Sequence, residues 1–156
     1  MRFFFSIVAF AACAAAQINL NVQTFPFAGI ASGQTARLNA LNVGVQAPAL
    51  GVTCSAQLSF FDNQGGLLKS STVTVIPGRG MSIDLDADAD LKLAPGERRQ
   101  IRGVISIPPA VDVPAGTPSC SLTPSLEIFD RATGRTEIIL TSVQTVPQIL
   151  RPSARP

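Results

Sequence analysis

Acidic residues with metal-ligand spacing lie in one stretch near the middle of the chain. Asp84, Asp86, Asp88 and Asp90 recur at every second position, so an extended backbone would place all four carboxylates on one side. Charges at that spacing repel one another, and a hard cation such as Ca²⁺ would relieve the repulsion. If Asp86, Asp88 and Asp90 are positions one, three and five of an EF-hand loop, Glu97 falls at position twelve.

This calcium hypothesis departs from the EF-hand pattern at an important position. Leu91 stands where the loop needs glycine for its sharp turn, and no flanking helices are predicted. The simpler interpretation is a solvated strand edge whose Ile83 and Leu85 face inward, with repeated charge discouraging edge-to-edge pairing. We favour the strand edge, and apart from this calcium candidate no cofactor is predicted.

Other catalytic chemistry has little support in the sequence. The chain contains no histidine, which excludes Ser-His-Asp and Cys-His arrangements and a histidine-based zinc site. The only PGRG segment, 77–80, is typical of a hairpin turn and not of a phosphate loop. Hydrolysis by paired aspartates stays open, but a catalytic acid needs burial to raise its pKa, and these are predicted to be exposed. We therefore predict a protein that is not an enzyme.

Three arginines, Arg98, Arg99 and Arg102, follow the aspartate run. They could contact an anion or a polysaccharide. The alternative, which we favour, is a solvated strand face. Its arginines could pair with Asp88 or Asp90, and each such surface pair contributes about 1 kcal/mol at most.

The segment 108–118 carries four prolines and is a candidate recognition loop. Prolines reduce the backbone entropy lost on binding, so such a loop can be rigid and exposed. Its candidate binding residues are Pro109, Val111, Asp112 and Pro114. An inert connector has a similar composition, and we favour that interpretation.

Two phenylalanines, Phe61 and Phe129, occupy matching positions near the ends of two similar strands. Both lie on the outward parity, so they could form part of an exposed apolar patch. The favoured alternative is that they pack under adjacent loops.

The first 16 residues are typical of an export signal, with Arg2, an apolar run and Ala14-Ala15-Ala16 before the predicted cleavage site. The apolar run is too short to cross a bilayer. Lipidation at Cys13 is the less favoured alternative. We predict one domain over 17–146, a disordered Pro/Arg tail over 147–156, and a secreted or periplasmic location. The net charge of +2 gives no reason to expect nucleic acid as a partner.

Strict alternation marks two strands that organise the chain. In 52–62 the apolar parity includes Cys54, Leu58 and Phe60, and in 120–130 it includes Cys120 and Leu126. The sequence has three cysteines, and removal of the predicted signal with Cys13 would leave two. An even number of cysteines in an exported chain favours a disulfide. These two cysteines are predicted to bridge the two layers of a β-sandwich.

About eight strands with turn signals between them, and no helical window, predict an all-β antiparallel sandwich of immunoglobulin-like architecture, about 7–8 strands with one disulfide. A closed barrel is the alternative. The other predicted strands cover 18–25, 34–43 with a bulge near Ala40, 67–76, 81–85, 98–107 and 135–146. The segment 26–33 is predicted to be a Pro/Gly turn.

The segments GQTARLNALNV (33–43), CSAQLSFFD (54–62), PGRGMSIDL (77–85) and PSLEIFD (124–130) resemble exported bacterial immunoglobulin-like modules of uncharacterised families. The resemblance implies adhesion, spacer or binding roles at the cell surface, with an unknown protein or glycan as partner. It implies no catalytic residues. The alternatives are a secreted inhibitor or chaperone-like binder that acts through 108–118, and a hydrolase with an acidic site.

Overall fold

The computed structural model describes residues 21–43, 53–108 and 120–142. In these residues the chain forms strands and turns with no helix. The nine strands are β1 (Asn21–Thr24), β2 (Ala28–Ala31), β3 (Gln34–Asn42), β4 (Cys54–Asp62), β5 (Leu67–Val75), β6 (Gly80–Asp86), β7 (Arg98–Ile107), β8 (Leu122–Asp130) and β9 (Thr136–Thr141).

The strands form two antiparallel sheets. Sheet A has the order β1-β7-β4-β5, and β2 pairs with β7 on the same side as β1. The strands β1 and β2 therefore act as one edge strand, interrupted at Pro26, where proline cannot donate to the ladder. Sheet B has the order β6-β3-β8-β9.

Alternation of burial explains how the sheets pack. On β4, Cys54, Ala56, Leu58 and Phe60 are buried, and Ser55 and Gln57 are exposed. The facing strand β3 buries Leu38 in the same way. The two inner faces together form one apolar core between the sheets, as a sandwich requires. The fold is thus a two-sheet sandwich and not a closed barrel.

The predicted disulfide is present. Cys54 begins β4 of sheet A, and Cys120 lies two residues before β8 of sheet B, with their Cα atoms 5.4 Å apart. The bridge joins the two sheets at the end of the sandwich where β4 begins. It closes a sequence separation of 66 residues, which limits the conformations open to the unfolded chain.

Two local predictions are wrong. The segment 26–33 contains the strand β2, because Ala28 and Ile30 alternate inward between Pro26 and Gly33, whose turn signals mask the short strand. The bulge near Ala40 is absent, since β3 stays in register with both neighbours through Leu41. Its alternation continues because buried Asn42 points inward and donates from Nδ2 to the Val75 carbonyl at 3.0 Å.

The register shifts occur elsewhere, between Phe60 and Phe61 on β4 and between Ile128 and Phe129 on β8. A bulge leaves one residue of the bulged strand unpaired. Here that residue lies on the neighbouring strand, Leu68 on β5 and Glu137 on β9, so Phe61 and Phe129 keep the alternation of their own strands.

The strand order bears on the immunoglobulin-like classification. Among the described strands, only β4–β5 and β8–β9 are hydrogen-bonded neighbours that also follow each other in the sequence. Antibody constant domains place strands A-B-E-D against C-F-G, but many related sandwiches share the architecture without that order. The immunoglobulin-like classification therefore stays a prediction.

Several sequence predictions lie outside the described residues, namely the export signal 1–16, Cys13 and the tail 147–156. They stay predictions. Among the residues that the structure does describe, no helix is long and apolar enough to cross a membrane.

Candidate functional site

The aspartate run lies at one end of the sandwich, where β6 gives way to a turn. Strand β6 ends at Asp86, and the backbone N–H groups of Asp90 and Leu91 donate to the Asp86 carbonyl. The chain is therefore no longer extended at Asp88 and Asp90. The prediction that four carboxylates line one side of an extended strand is wrong beyond Asp86.

Each of these carboxylates already has partners in the protein. Asp86 Oδ1 accepts hydrogen bonds from the backbone N–H groups of Asp88 and Ala89, and Asp86 Oδ2 lies 2.8 Å from Arg131 Nη1. Asp88 accepts from Ser32 Oγ at 2.9 Å and from the Gly33 N–H at 3.0 Å, and it also contacts Arg131. The guanidinium of Arg131 thus balances two of the negative charges.

The other two calcium candidates are occupied in the same way. Asp90 Oδ2 lies 2.7 Å from Lys69 Nζ and accepts from the Asp86 N–H, while Glu97 Oε2 accepts from the Ala94 N–H. Across 21–43, 53–108 and 120–142, no group of three or more Asp, Glu, His or Cys side chains is arranged to hold a metal ion. The geometry gives the calcium hypothesis no support.

Hydrogen bonding lowers the pKa of three carboxyl groups at this end. The Gly33 N–H and then the Ser32 hydroxyl lower the pKa of Asp88, and the Lys69 ammonium lowers the pKa of Asp90. The Thr133 hydroxyl and backbone lower the pKa of Asp130. These acids hold turns in place, and their lowered pKa values are the opposite of what a general acid needs.

The arginines of the basic cluster lie on β7, where Arg98 and Arg99 are exposed as a solvated strand face requires. The suggested ion pairs with Asp88 or Asp90 are not formed, because Arg131 and Lys69 take those carboxylates. Arg98 and Arg102 share the outward parity of β7, and Arg99 takes the other. Arg98 lies over Gly29 on the neighbouring β2, where a Cβ atom would come within 2.2 Å of Arg98 Nε. A glycine at position 29 therefore allows the Arg98 side chain to lie flat on the sheet.

Arg102 lies between two aromatic rings on the outer face of sheet A. Its guanidinium carbon is 5.7 Å from the Phe27 ring centroid and 5.6 Å from that of Phe61. Rings at this distance attract a cation through their quadrupole. The Nε atom of Arg102 is shielded from solvent and has no hydrogen-bond partner. Within the described part of the chain, this guanidinium makes no ion pair.

Phe27 is the member of this group that sequence reasoning missed. It lies between β1 and β2, and 52% of its surface is exposed. The signal that could have found it is the inward alternation of Ala28 and Ile30, which puts Phe27 and Gly29 on the outer face.

Phe61 and Phe129 do not form one patch, because they lie on the outer faces of different sheets. Phe129 is on β8 of sheet B, with Arg37 Cζ at 5.1 Å from its ring centroid. Arg37 in turn binds Asp84 through two hydrogen bonds of 2.7 Å. The two faces therefore hold similar Arg–Phe contacts, but only Arg37 has a carboxylate partner.

Neutral polar side chains extend from Arg102 across sheet A. The cross-strand register places them in three outward rows: Arg102–Phe61–Leu67, then Thr24–Val104–Ser59–Ser70, then Val22–Ser106–Gln57–Thr72. The Ser59 and Ser70 hydroxyls are 2.8 Å apart, and Gln57 Nε2 donates to Ser70 Oγ. No described residue at an outward position of these strands is an aspartate or a glutamate.

The proline-rich loop falls largely outside the described residues, including Pro109, Val111, Asp112 and Pro114. Its binding role stays a prediction. Of this region the structure describes Pro108, the first residue of the loop, and Cys120, which lies two residues after its end.

The chain matches no protein-family model, no curated protein and no solved structure.

Proposed function

We propose that this chain is an exported, non-catalytic β-sandwich module that binds a partner in the cell envelope or outside the cell. The observation that carries the proposal is the Phe27–Arg102–Phe61 group, in which an arginine without a carboxylate partner is held between two rings on an open sheet face. Partly exposed aromatic and arginine side chains are typical of binding surfaces.

The rest of the proposal draws support from the sequence. The export pattern of the first 16 residues favours a location outside the cytoplasm. The inter-sheet disulfide fits an oxidising compartment, since such bridges are rare in the cytosol. The absence of histidine from the sequence argues against the commonest acid–base and nucleophilic mechanisms. The two-layer antiparallel architecture is compatible with an immunoglobulin-like module.

The outer face of sheet A is the better candidate for the binding surface. At the acidic end of the sandwich, the carboxylates are occupied by backbone N–H groups, Arg131 and Lys69. A partner that bound there would have to displace these contacts. On sheet A the donors of Arg102 and the exposed ring of Phe27 are already placed, so binding would need little reorganisation.

Co-sedimentation of the purified protein with the envelope fraction of the source cells tests the proposal. We expect the wild-type protein to sediment with the envelope, and we expect the Phe27→Ala/Arg102→Gln double variant to remain in the supernatant. The matched control is Arg37→Gln, which alters an Arg–Phe contact on the opposite face and should sediment like wild type. Equal sedimentation of all three proteins, or none by wild type, would contradict the proposal.

A second candidate is a secreted inhibitor or chaperone-like binder that acts through 108–118. The observation in its favour is the Cys54–Cys120 bridge, which fixes the chain two residues beyond this loop. Inhibition of a panel of secreted proteases, lost when the loop is replaced by a Gly/Ser sequence of equal length, would favour it over the sheet surface.

A further inference from the structure

Charge is distributed unevenly between the two outer faces of the sandwich. The described outward positions of sheet A include Arg98 and Arg102 and no acidic residue. On sheet B the outward row Glu127–Arg37–Asp84 contains two carboxylates and one arginine. Sheet A therefore presents uncompensated positive charge, which favours an anionic ligand.

The geometry of Arg102 favours a planar anion such as a carboxylate. A guanidinium presents its donors in a flat fork that matches a carboxylate, and stacking on rings holds the fork in one orientation. The contacts with Phe27 and Phe61 provide that stacking. On the opposite face Arg37 lies over Phe129 and binds Asp84 through Nε and Nη2. Because Nε of Arg102 is shielded from solvent, a carboxylate would meet its two terminal nitrogens instead.

The surroundings of Arg102 favour a saccharide over a protein. Protein interfaces have apolar cores, whereas the rows beside Arg102 consist mainly of neutral hydroxyl and amide side chains, of which Gln57, Ser70 and Thr72 are exposed. These groups can both donate to and accept from sugar hydroxyls. The exposed ring of Phe27 offers a flat apolar surface for the C–H face of a pyranose.

We propose that the outer face of sheet A binds a carboxylate-bearing polysaccharide, with Arg102 on the carboxylate, Phe27 against a sugar ring and the hydroxyl rows on neighbouring sugar hydroxyls. This inference rests on the proposed function, because it names the ligand class of the same surface. It places the acidic groups of the ligand where the protein has none of its own.

Isothermal titration with polygalacturonate tests the proposal, and the same polymer after methyl esterification provides the uncharged comparison. We expect the esterified polymer to bind at least about tenfold more weakly, because it lacks the charge that Arg102 needs. Arg102→Lys keeps the positive charge and loses the flat fork, so we expect a similar loss. Phe27→Ala should also weaken binding. Because the Phe27 side chain is exposed, its removal leaves the core intact. The matched control, Arg37→Lys, should bind like wild type.

The outcomes separate this inference from the proposed function. If the protein sediments with the envelope but does not bind polygalacturonate, or binds the esterified polymer equally, the saccharide inference is wrong and the binding module stands. If polyglutamate binds as tightly as polygalacturonate, the site takes acidic chains in general and the inference is also wrong. If the wild-type protein neither sediments with the envelope nor gives a titration signal, both proposals are wrong.

Discussion

Arg37 and Asp84 face each other across the β3–β6 pair and form an ion pair with two contacts, Nε–Oδ1 and Nη2–Oδ2, both 2.7 Å long. The hydrogen bond to Asp84 raises the pKa of Arg37 above its ordinary value. The same guanidinium lies over the Phe129 ring. Arg102 has two such rings and no carboxylate. Arg37 therefore stabilises the fold, whereas Arg102 has hydrogen-bond donors available for a ligand.

Replacement of Asp84 by asparagine should reduce stability only slightly. Both partners of the ion pair are about 40% exposed, and exposed pairs contribute about 0.2–1 kcal/mol. We expect urea unfolding to show a loss of at most about 1 kcal/mol, which added salt should shrink. Envelope binding should not change. A larger loss of stability would contradict this account of the ion pair, and a loss of binding would place the functional surface on sheet B.

The Cys54–Cys120 bridge should be the strongest single constraint on the fold. Its separation of 66 residues corresponds to about 4 kcal/mol on the chain-entropy model. The Cys54→Ala/Cys120→Ala variant should therefore lose about that amount in urea unfolding. Wild-type protein unfolded in the presence of a reductant serves as the control and should agree with the variant. Coincident unfolding curves for oxidised and reduced protein would show that the bridge contributes little.

Gly103 marks a close approach between the two sheets. A methyl group there would lie 2.9 Å from Leu38 Cδ1 and 3.3 Å from Phe25 Cδ2, both buried in the core. Gly103→Ala should destabilise the protein by about 1–3 kcal/mol through overpacking. Gly80→Ala is the matched control, because its nearest contact would be the Ala40 carbonyl oxygen at 3.7 Å. Similar melting temperatures for the two variants would contradict this account of the packing.

The lowered pKa values of Asp88, Asp90 and Asp130 predict how stability depends on pH. A carboxyl group with a lowered folded-state pKa adds stability above its unfolded pKa, about 4, and loses it as pH falls through the folded value. We expect melting temperature to fall as the pH drops below about 4. Removal of the side-chain donors in a Ser32→Ala/Thr133→Ala variant should make that acid-induced fall smaller. An unchanged pH dependence would show that these hydrogen bonds do not set it.

Much of the fold could be predicted from alternation alone. The strand β7 was expected over 98–107 and has those bounds, and the bridge between Cys54 and Cys120 is present. Alternation works for these long strands because one face packs in the core and the other meets solvent. The short strand β2 was missed because its turn-forming neighbours, Pro26 and Gly33, dominate the local pattern.

The candidate site was harder to predict because its parts come from three separated segments. Arg102 was singled out for its charge and Phe61 for its position, but nothing local in the sequence links either of them to Phe27. The strand pairing brings them together, since β7 pairs with β4 on one side and with β1 and β2 on the other. The aspartate run, in contrast, had a clear local pattern that gave a wrong prediction. Its spacing suggested an extended strand where the backbone turns.

The most direct test of the central claim is a map of the binding surface by amide chemical shifts in ¹⁵N-labelled protein titrated with short galacturonate oligomers. The account predicts the largest shifts at Phe27, Phe61 and Arg102 and along the outward rows of β4, β5 and β7. Shifts confined to the turn over 87–97 or to the Arg37–Phe129 face, or no shifts at all, would contradict it.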